Sequence, residues 1–389
     1  MYDLLLQGGR VIDPGQNFDA PADIAFSDGR VERVQAGLVA TAARDVRDVT
    51  GKLVVPGLID MHTHVYWGGT SLGVDAEQVA RHSGATTLVD AGSAGAGNFT
   101  GFRRHVIEPA AVRILAYLNI SFAGIFAFSH AIMMGESSDL RLIDAGEAVR
   151  AVRDNPDLIV GIKVRVGRNA GGASGIAPLE IALQAAEEVG LPVMAHIDFP
   201  PPDYQQVLAL LRPRDILTHA FRPFPNSPLD GHGEVRREVR EARARGVLFD
   251  IGHGMGSLSF ETARAMLEQG FPPDVISSDV HVLSIHGPAY DLAVTMSKFL
   301  CLGMPLTEVI CAATMAPARA MNREHLSSLS VGSPGDATVL ELQEGEFDYR
   351  DAAGSLMRGG QRLRPAGIVI AGGWWSDGES EQGENAHAI

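Results

Sequence analysis

The chain is poor in cysteine. Its only two, Cys301 and Cys311, lie in a stretch with helical texture, so no disulfide framework organises the fold and a reducing compartment suits it. It also lacks any uninterrupted apolar run of about 18 residues, the length needed for a helical membrane span. The opening MYDLLLQGGRVIDP has neither a charged leader nor an apolar core ahead of Gly8–Gly9, so no secretory signal peptide is expected and the reading is a cytoplasmic protein. Basic charge is in deficit, with 32 Lys+Arg against 47 Asp+Glu and a net charge of −15. Nucleic acid and anionic membrane both reward a basic face, so neither is expected as a partner. One local basic pocket for a small anion remains compatible with that balance, and a homo-oligomer is left open. Charged residues are only 20% and apolar residues 46%, which excludes a disordered chain.

At 389 residues the chain exceeds what one hydrophobic core usually organises, so one large barrel with an accessory unit, or two domains, is expected. Both ends are strand-like. YDLLLQGGRVI (2–12) and DIAFSDGRVERV (23–34) contain short strands, with Asp28–Gly29 as a hairpin signal between apolar runs, and RDVTGKLVV (47–55) adds another. DATVLEL (336–342) and AGIVIAGGWW (366–375) repeat the texture around a polar stretch. A small β-sandwich built from residues 1–55 and 330–375 is the resulting expectation, with the acidic segment 376–389 as a flexible tail.

The middle, 56–329, alternates differently. Apolar strand-like runs occur at 57–64, 85–92, 113–120, 158–166, 191–197, 215–221, 247–254 and 274–280. Helical segments lie between them, such as APLEIALQAAEEVG, where apolar positions recur at helical spacing up to a glycine. Eight buried-type strands with crossovers predict an α/β fold of the (β/α)₈ TIM-barrel kind; a doubly wound open sheet is the alternative. The run EVRREVREARARG (234–246) reads as a solvated helix face. The glycine-rich DAGSAGAGNF (90–99) lacks a dinucleotide fingerprint and reads as a loop at the barrel mouth.

Catalytic groups in such a barrel project from the C-terminal ends of the strands, and the predicted strands end in reactive side chains. His62 and His64 close the first, Lys163 lies in the fourth, His196 ends the fifth, His219 is in the sixth and Asp279 in the eighth. Residues i and i+2 of a strand face the same side, so His62 and His64 can hold one metal together. Any one of these histidines alone reads equally as a satisfied core residue. Four imidazoles, an ammonium and a carboxylate inside one barrel would leave polar groups unpaired, and a metal site satisfies them together. The chain has just three lysines, Lys52, Lys163 and Lys298. Burial of Lys163 within GIKVRV would depress its pKa, and a neutral amine can add carbon dioxide to form a carbamate whose oxygens bridge two cations. A Lys reaching to the barrel mouth, or paired with Asp279, is the simpler alternative.

This ordered set resembles the amidohydrolase superfamily, in its dihydroorotase-like branch. The resemblance runs from GLIDMHTH through Lys163, His196, His219 and SSDVH to TMAPARAM and VGSPGDATVL, nearly the whole chain. It implies a barrel with a β-sandwich from both termini, N6-carboxylysine at Lys163, and two divalent metal ions, zinc suiting the ligand set. It places His62, His64, Lys163 and Asp279 on the more buried metal, and Lys163, His196 and His219 on the other. It implies hydrolysis of an amide or ester by a metal-bridging hydroxide, with Asp279 as the catalytic general base and acid.

The same resemblance separates substrates. Dihydroorotase members carry an Arg two residues after the second His of His-x-His, where it binds the substrate carboxylate; here Tyr66 stands at that place. HTHVYWGG, the Lys163-x-Arg165 pair and HGPAYDLAVTMSKFLCLGM resemble instead a group of deacetylases acting on acetylated small hydroxy or amino acids. Arg165 shares the face of Lys163 and can grip a carboxylate by two parallel hydrogen bonds, or close a rim salt bridge. Gly287, Tyr290 and His281 are implied as further substrate-side residues, with helix-start packing the alternative for Tyr290. The expectation is a hydrolase removing an acetyl group from a small carboxylate-bearing substrate. A cyclic-amide hydrolase is the alternative, and a non-catalytic scaffold the remaining one.

Overall fold

Asp28 and Gly29 both take positive φ, 50° and 73°, and so form the tight turn whose twist matches two antiparallel strands. They join Phe18–Ser27 to Arg30–Gln35 with Ser27 opposite Arg30. In the computed structural model, which describes residues 1–375, this hairpin is one edge of an eight-stranded sheet made from both chain ends. Its order is Gly373–Trp374, Leu356–Ile370, Ala337–Arg350, Leu53–Pro56, Tyr2–Asp13, Phe18–Ser27, Arg30–Gln35, with Ala43–Asp48 also paired to Tyr2–Asp13. Leu4, Leu6, Val11, Ile24, Phe26, Val339 and Val369 bury a common core on one side of it. Ile12, Leu53, Val55 and Leu340 join the core of the neighbouring barrel. The single strand expected at 47–55 is two, Ala43–Asp48 and Leu53–Pro56. The polar stretch near the C-terminus is itself a long hairpin, because Ala337–Arg350 and Leu356–Ile370 pair along most of their lengths. The segment 376–389, expected as a flexible tail, lies outside the described residues.

The barrel strands are parallel: Leu58–Thr63, Ala85–Gly95, Arg113–Asn119, Ile159–Val166, Val193–Ile197, Ile216–Leu217 and Leu248–Phe249, in chain order around a seven-stranded sheet. Parallel neighbours require crossovers, and amphipathic helices supply them. Ala177–Val189 starts with Pro178, buries Leu179, Ala182, Ala185 and Ala186, and stops at Gly190, where a left-handed cap suits glycine. Ala145–Asp154 is capped by Asp144, whose carboxylate accepts from the Glu147 amide. The eighth segment forms no regular strand. It closes the ring through two isolated parallel bridges, Asp250 to Val275 and Thr63 to Val280.

The last three segments are shorter than their sequence predicts for a physical reason. His219 and Asp279 take φ of 61° and 49°, and Gly252 and Gly254 take 45° and 50°; the left-handed conformation leaves the ladder and re-aims side chains. Conversely, the expected loop at 90–99 is still strand as far as Gly95. The charged helix spans Arg237–Ala244 and buries Val239 and Ala242. Cys301 and Cys311 are free and lie in separate helices, Leu292–Cys301 and Leu306–Ala312. Among the described residues no helix is long and apolar enough to cross a membrane.

Candidate metal centre

The strand ends bring the expected ligands together. His62, His64 and Asp279 are buried, and their ligand atoms lie within 4.8 Å of one another. Asp279 Oδ1 sits 3.3 Å from His62 Nε2 and 3.2 Å from His64 Nε2. Lys163 Nζ is 3.3 Å from His62 Nε2. The His219 ring lies 5.1 Å from that of His62 and 4.5 Å from that of His196, centroid to centroid. All six side chains line one cavity of about 270 Å³.

The hydrogen bonds behind the imidazoles orient them. The Thr218 hydroxyl donates to Asp250 Oδ2 at 2.7 Å and has His62 Nδ1 at 2.8 Å. Its one proton being spent on Asp250, it accepts from His62 Nδ1–H, which leaves the Nε2 lone pair facing inward. His219 Nδ1 is 2.7 Å from the Gly252 carbonyl, which only accepts, so its Nε2 is likewise unprotonated. His64 Nδ1 is 2.9 Å from the Ser93 hydroxyl. Burial holds His62, His196 and His219 well below the ordinary histidine pKa and lowers His64 to about 3. These are neutral acceptors. Burial likewise raises Asp279 to about 6 and lowers the Lys163 amine to about 7.

That arrangement fits divalent cations. Asp279 Oδ1 and His196 Nε2 are buried without any hydrogen-bond partner, and the His62 and His64 Nε2 atoms lie little over 3 Å from that carboxylate oxygen. Acceptors aimed at one another in a buried space repel unless a cation lies between them. The left-handed His219 and Asp279 are the kind of backbone outlier that persists where a site demands it.

Close backbone approaches complete the centre. A Cβ on Gly254 would stand 2.1 Å from Asp279 Oδ2, and one on Gly92 2.6 Å from Lys163 Cγ. Gly254→Ala is therefore expected to push Asp279 out of place and cut kcat by about tenfold or more, the usual cost of a 1 Å misplacement being near a hundredfold. Steady-state kinetics beside a melting curve check this; full activity in a normally folded variant would contradict it.

The substrate-side expectations divide. Arg165 and His281 line the same cavity. Arg165 points inward and pairs with Glu136 Oε2 at 3.1 Å. His281 Nδ1 accepts from the Leu283 amide at 3.1 Å, so its proton is on Nε2; burial lowers its pKa to about 4, leaving a neutral donor. Gly287 and Tyr290 do not line this cavity. Tyr290 is 44% exposed and lines a separate cavity of about 580 Å³ with Lys298 and Asp291. Both lie in a turn where the Ser284 carbonyl accepts from the Gly287 and Tyr290 amides. Tyr66 is a packing residue, its ring 4.6 Å from that of Phe102 and its hydroxyl donating to the Asn98 carbonyl. His253 is buried against Lys298 Nζ at 2.6 Å and does not reach the centre.

Sequence reasoning passed over the supporting aspartates. Asp60 accepts from the Ser278 amide and hydroxyl, tying the first strand to the eighth. Asp90 accepts from the Val65 and Ser93 amides and so places the hydroxyl behind His64. Asp250 accepts from Thr218 and Ser277. Asp60 and Asp90 lie within apolar barrel strands and Asp250 directly follows one, the one signal that marked them. Glu136 and Arg222 were passed over too; neither has a motif.

A closed parallel barrel with a buried histidine–carboxylate cluster at the C-terminal ends of its strands defines a metal-dependent hydrolase. The chain belongs to the amidohydrolase family, whose model matches residues 53–374. A deacetylase of Brucella anthropi is 35% identical over 356 residues, 91% of this chain and 88% of that one. A dihydroorotase of Trichlorobacter lovleyi is 48% identical over 63 residues, 16% of this chain and 15% of its own. Among solved structures, one titled an adenine deaminase superposes with a TM-score of 0.90 at 31% identity, covering 97% of this chain and 100% of that one. One titled a dihydroorotase superposes with a TM-score of 0.87 at 32% identity, covering 96% and 97%. These relatives and the family mark the chain as a hydrolase.

Proposed function

We propose that the protein removes an acetyl group from a small carboxylate-bearing N- or O-acetylated acid, using two divalent cations, zinc in the first place, and a carboxylated Lys163. His62, His64, Lys163 and Asp279 would hold one cation, and Lys163, His196 and His219 the other. When bound, such a pair supplies Lewis acidity, lowering the pKa of water held there toward neutrality and polarising a carbonyl.

The chain's own residues do the rest. Thr218, Ser93 and the Gly252 carbonyl keep the imidazoles turned inward. Asp279, with one oxygen free of hydrogen bonds, takes the proton of the attacking water and returns it to the leaving amine or alcohol. His281 Nε2–H faces the same cavity as a donor to the acyl oxygen or to the substrate. The cavity walls carry Arg165, paired with Glu136, and Arg222, so a positive group is at hand for an anionic substrate inside an acidic protein.

The observation that carries the acetyl reading is the near full-length similarity, at 35% identity, to the Brucella deacetylase. Tyr66 standing where dihydroorotase carries its substrate Arg, and facing away from the cavity, agrees with it. Rates on N- and O-acetylated 2-amino and 2-hydroxy acids should exceed those on dihydroorotate and hydantoins by about ten-thousandfold, the scale set by buried polar groups left unpaired. Turnover of the cyclic amides alone would reverse the assignment.

A further inference from the structure

We infer that Arg222, and not Arg165, is the residue that recognises the substrate carboxylate; the inference rests on the deacetylase reading and names its specificity determinant. Two guanidinium groups line the cavity. That of Arg165 is already neutralised: Glu136, whose side chain is fully buried, holds its NH1 at 3.1 Å, and the Phe128 ring lies 5.4 Å from its centre. A carboxylate brought to Arg165 would meet the Glu136 charge beside it.

Arg222 stands three residues after His219, where the sixth segment leaves the barrel. It is 6% exposed. Its NH1 donates to the Ile197 carbonyl, and the Phe199 ring lies 5.9 Å from the guanidinium. Its Nε–H is buried with no hydrogen-bond partner, and Asp198 acts on it through charge alone, opposing the lowering of its pKa by burial. The neighbouring Asp198 is turned to the loop, accepting from the Asn169 and Ala170 amides at 3.2 and 3.0 Å.

A buried guanidinium N–H left without an acceptor is costly. A ligand carboxylate lying on Nε and a terminal nitrogen would satisfy the orphaned donor and the charge together, in the fork geometry arginine offers. The ligand class is a small monocarboxylic acid, such as a 2-hydroxy or 2-amino acid. Its carboxylate lies against the wall between the fifth and sixth strands, and its acyl group faces His196, His219 and Asp279.

The test is calorimetric binding of lactate and of its neutral amide, lactamide, to the protein as purified. The native sequence should prefer lactate. In Arg222→Gln the preference should fall by roughly ten- to a hundredfold, the worth of a charge-assisted hydrogen-bond pair, while lactamide affinity stays within about twofold. Arg222→Lys, which keeps charge but loses the fork, should fall between, and Arg165→Gln should keep the preference. A lactate preference retained in Arg222→Gln, abolished in Arg165→Gln, or absent from the native sequence overturns the assignment. Turnover of O-acetyl-lactate by the native sequence tests the underlying reading separately. No turnover, with lactate preference still dependent on Arg222, removes the deacetylase activity and leaves the carboxylate site standing.

Discussion

Lys163→Ala is expected to lower kcat by about a thousandfold or more, because it removes the one side chain able to join both halves of the cluster. Lys163 lies on Ile159–Val166, almost wholly buried, with its amine 3.3 Å from His62 Nε2. Burial lowers that amine to about 7, so the neutral form that adds carbon dioxide predominates above that pH. As an ammonium it would instead stand among acceptor imidazoles as a competing cation. The sign follows: carbamate formation, and activity with it, is favoured above pH 7 and lost as pH falls below, since the protonated amine has no lone pair for carbon dioxide. A short carboxylic acid such as propionate, added to Lys163→Ala, should restore part of the rate by offering two oxygens in the space vacated. Steady-state kinetics with and without propionate, beside the mass of the native chain for the added carbon dioxide, decide the matter. Undiminished turnover in Lys163→Ala would end the bridging role.

Stripping divalent cations is expected to abolish hydrolysis and to destabilise the fold. The neutral imidazoles of His62, His64 and His219 and the Asp279 carboxylate present lone pairs to one another across a few ångströms, which is unfavourable without a cation. A ligand bound a thousandfold above its dissociation constant adds about 4 kcal/mol to the folded state, if it does not bind the unfolded chain. Chelation should therefore lower the melting temperature as well as the rate, and zinc, manganese or cobalt added back should restore both. Metal analysis should find about two equivalents per native chain and fewer in Lys163→Ala. A protein that holds no divalent metal and takes none up would instead be the non-catalytic scaffold.

The clustered side chains were legible because several of them are short-range anomalies. His62 and His64 interrupt an apolar run two residues apart; Lys163 is one of three lysines and lies inside GIKVRV; Asp279 ends an apolar segment. A polar side chain in a run that must be buried announces itself, since burial without a partner is costly. The βα alternation and the Asp28–Gly29 turn were legible for a related reason: periodicity and positive φ are local properties. The two substrate-side residues proposed on the loop after the eighth segment, Gly287 and Tyr290, did not reach the cavity, because a loop's course is set by what it packs against. Glu136 and Arg222 escaped notice because their roles depend on partners far along the chain, Arg165 and the Ile197 carbonyl.

The amino-acid sequence by itself determined the order of strands and crossovers, the joining of both ends in one strand-rich unit, and which polar side chains fall in the apolar barrel strands, all of which follow from hydrophobic period and residue type. Only the tertiary structure decided which hydrogen bonds orient the imidazoles, that the eighth segment closes the ring by isolated bridges, and which of two arginines is paired with a buried glutamate and which keeps an unbonded N–H. Those are matters of hydrogen bonds and charges between residues distant in the chain, whose energies depend on distance and burial and leave no trace in local spacing.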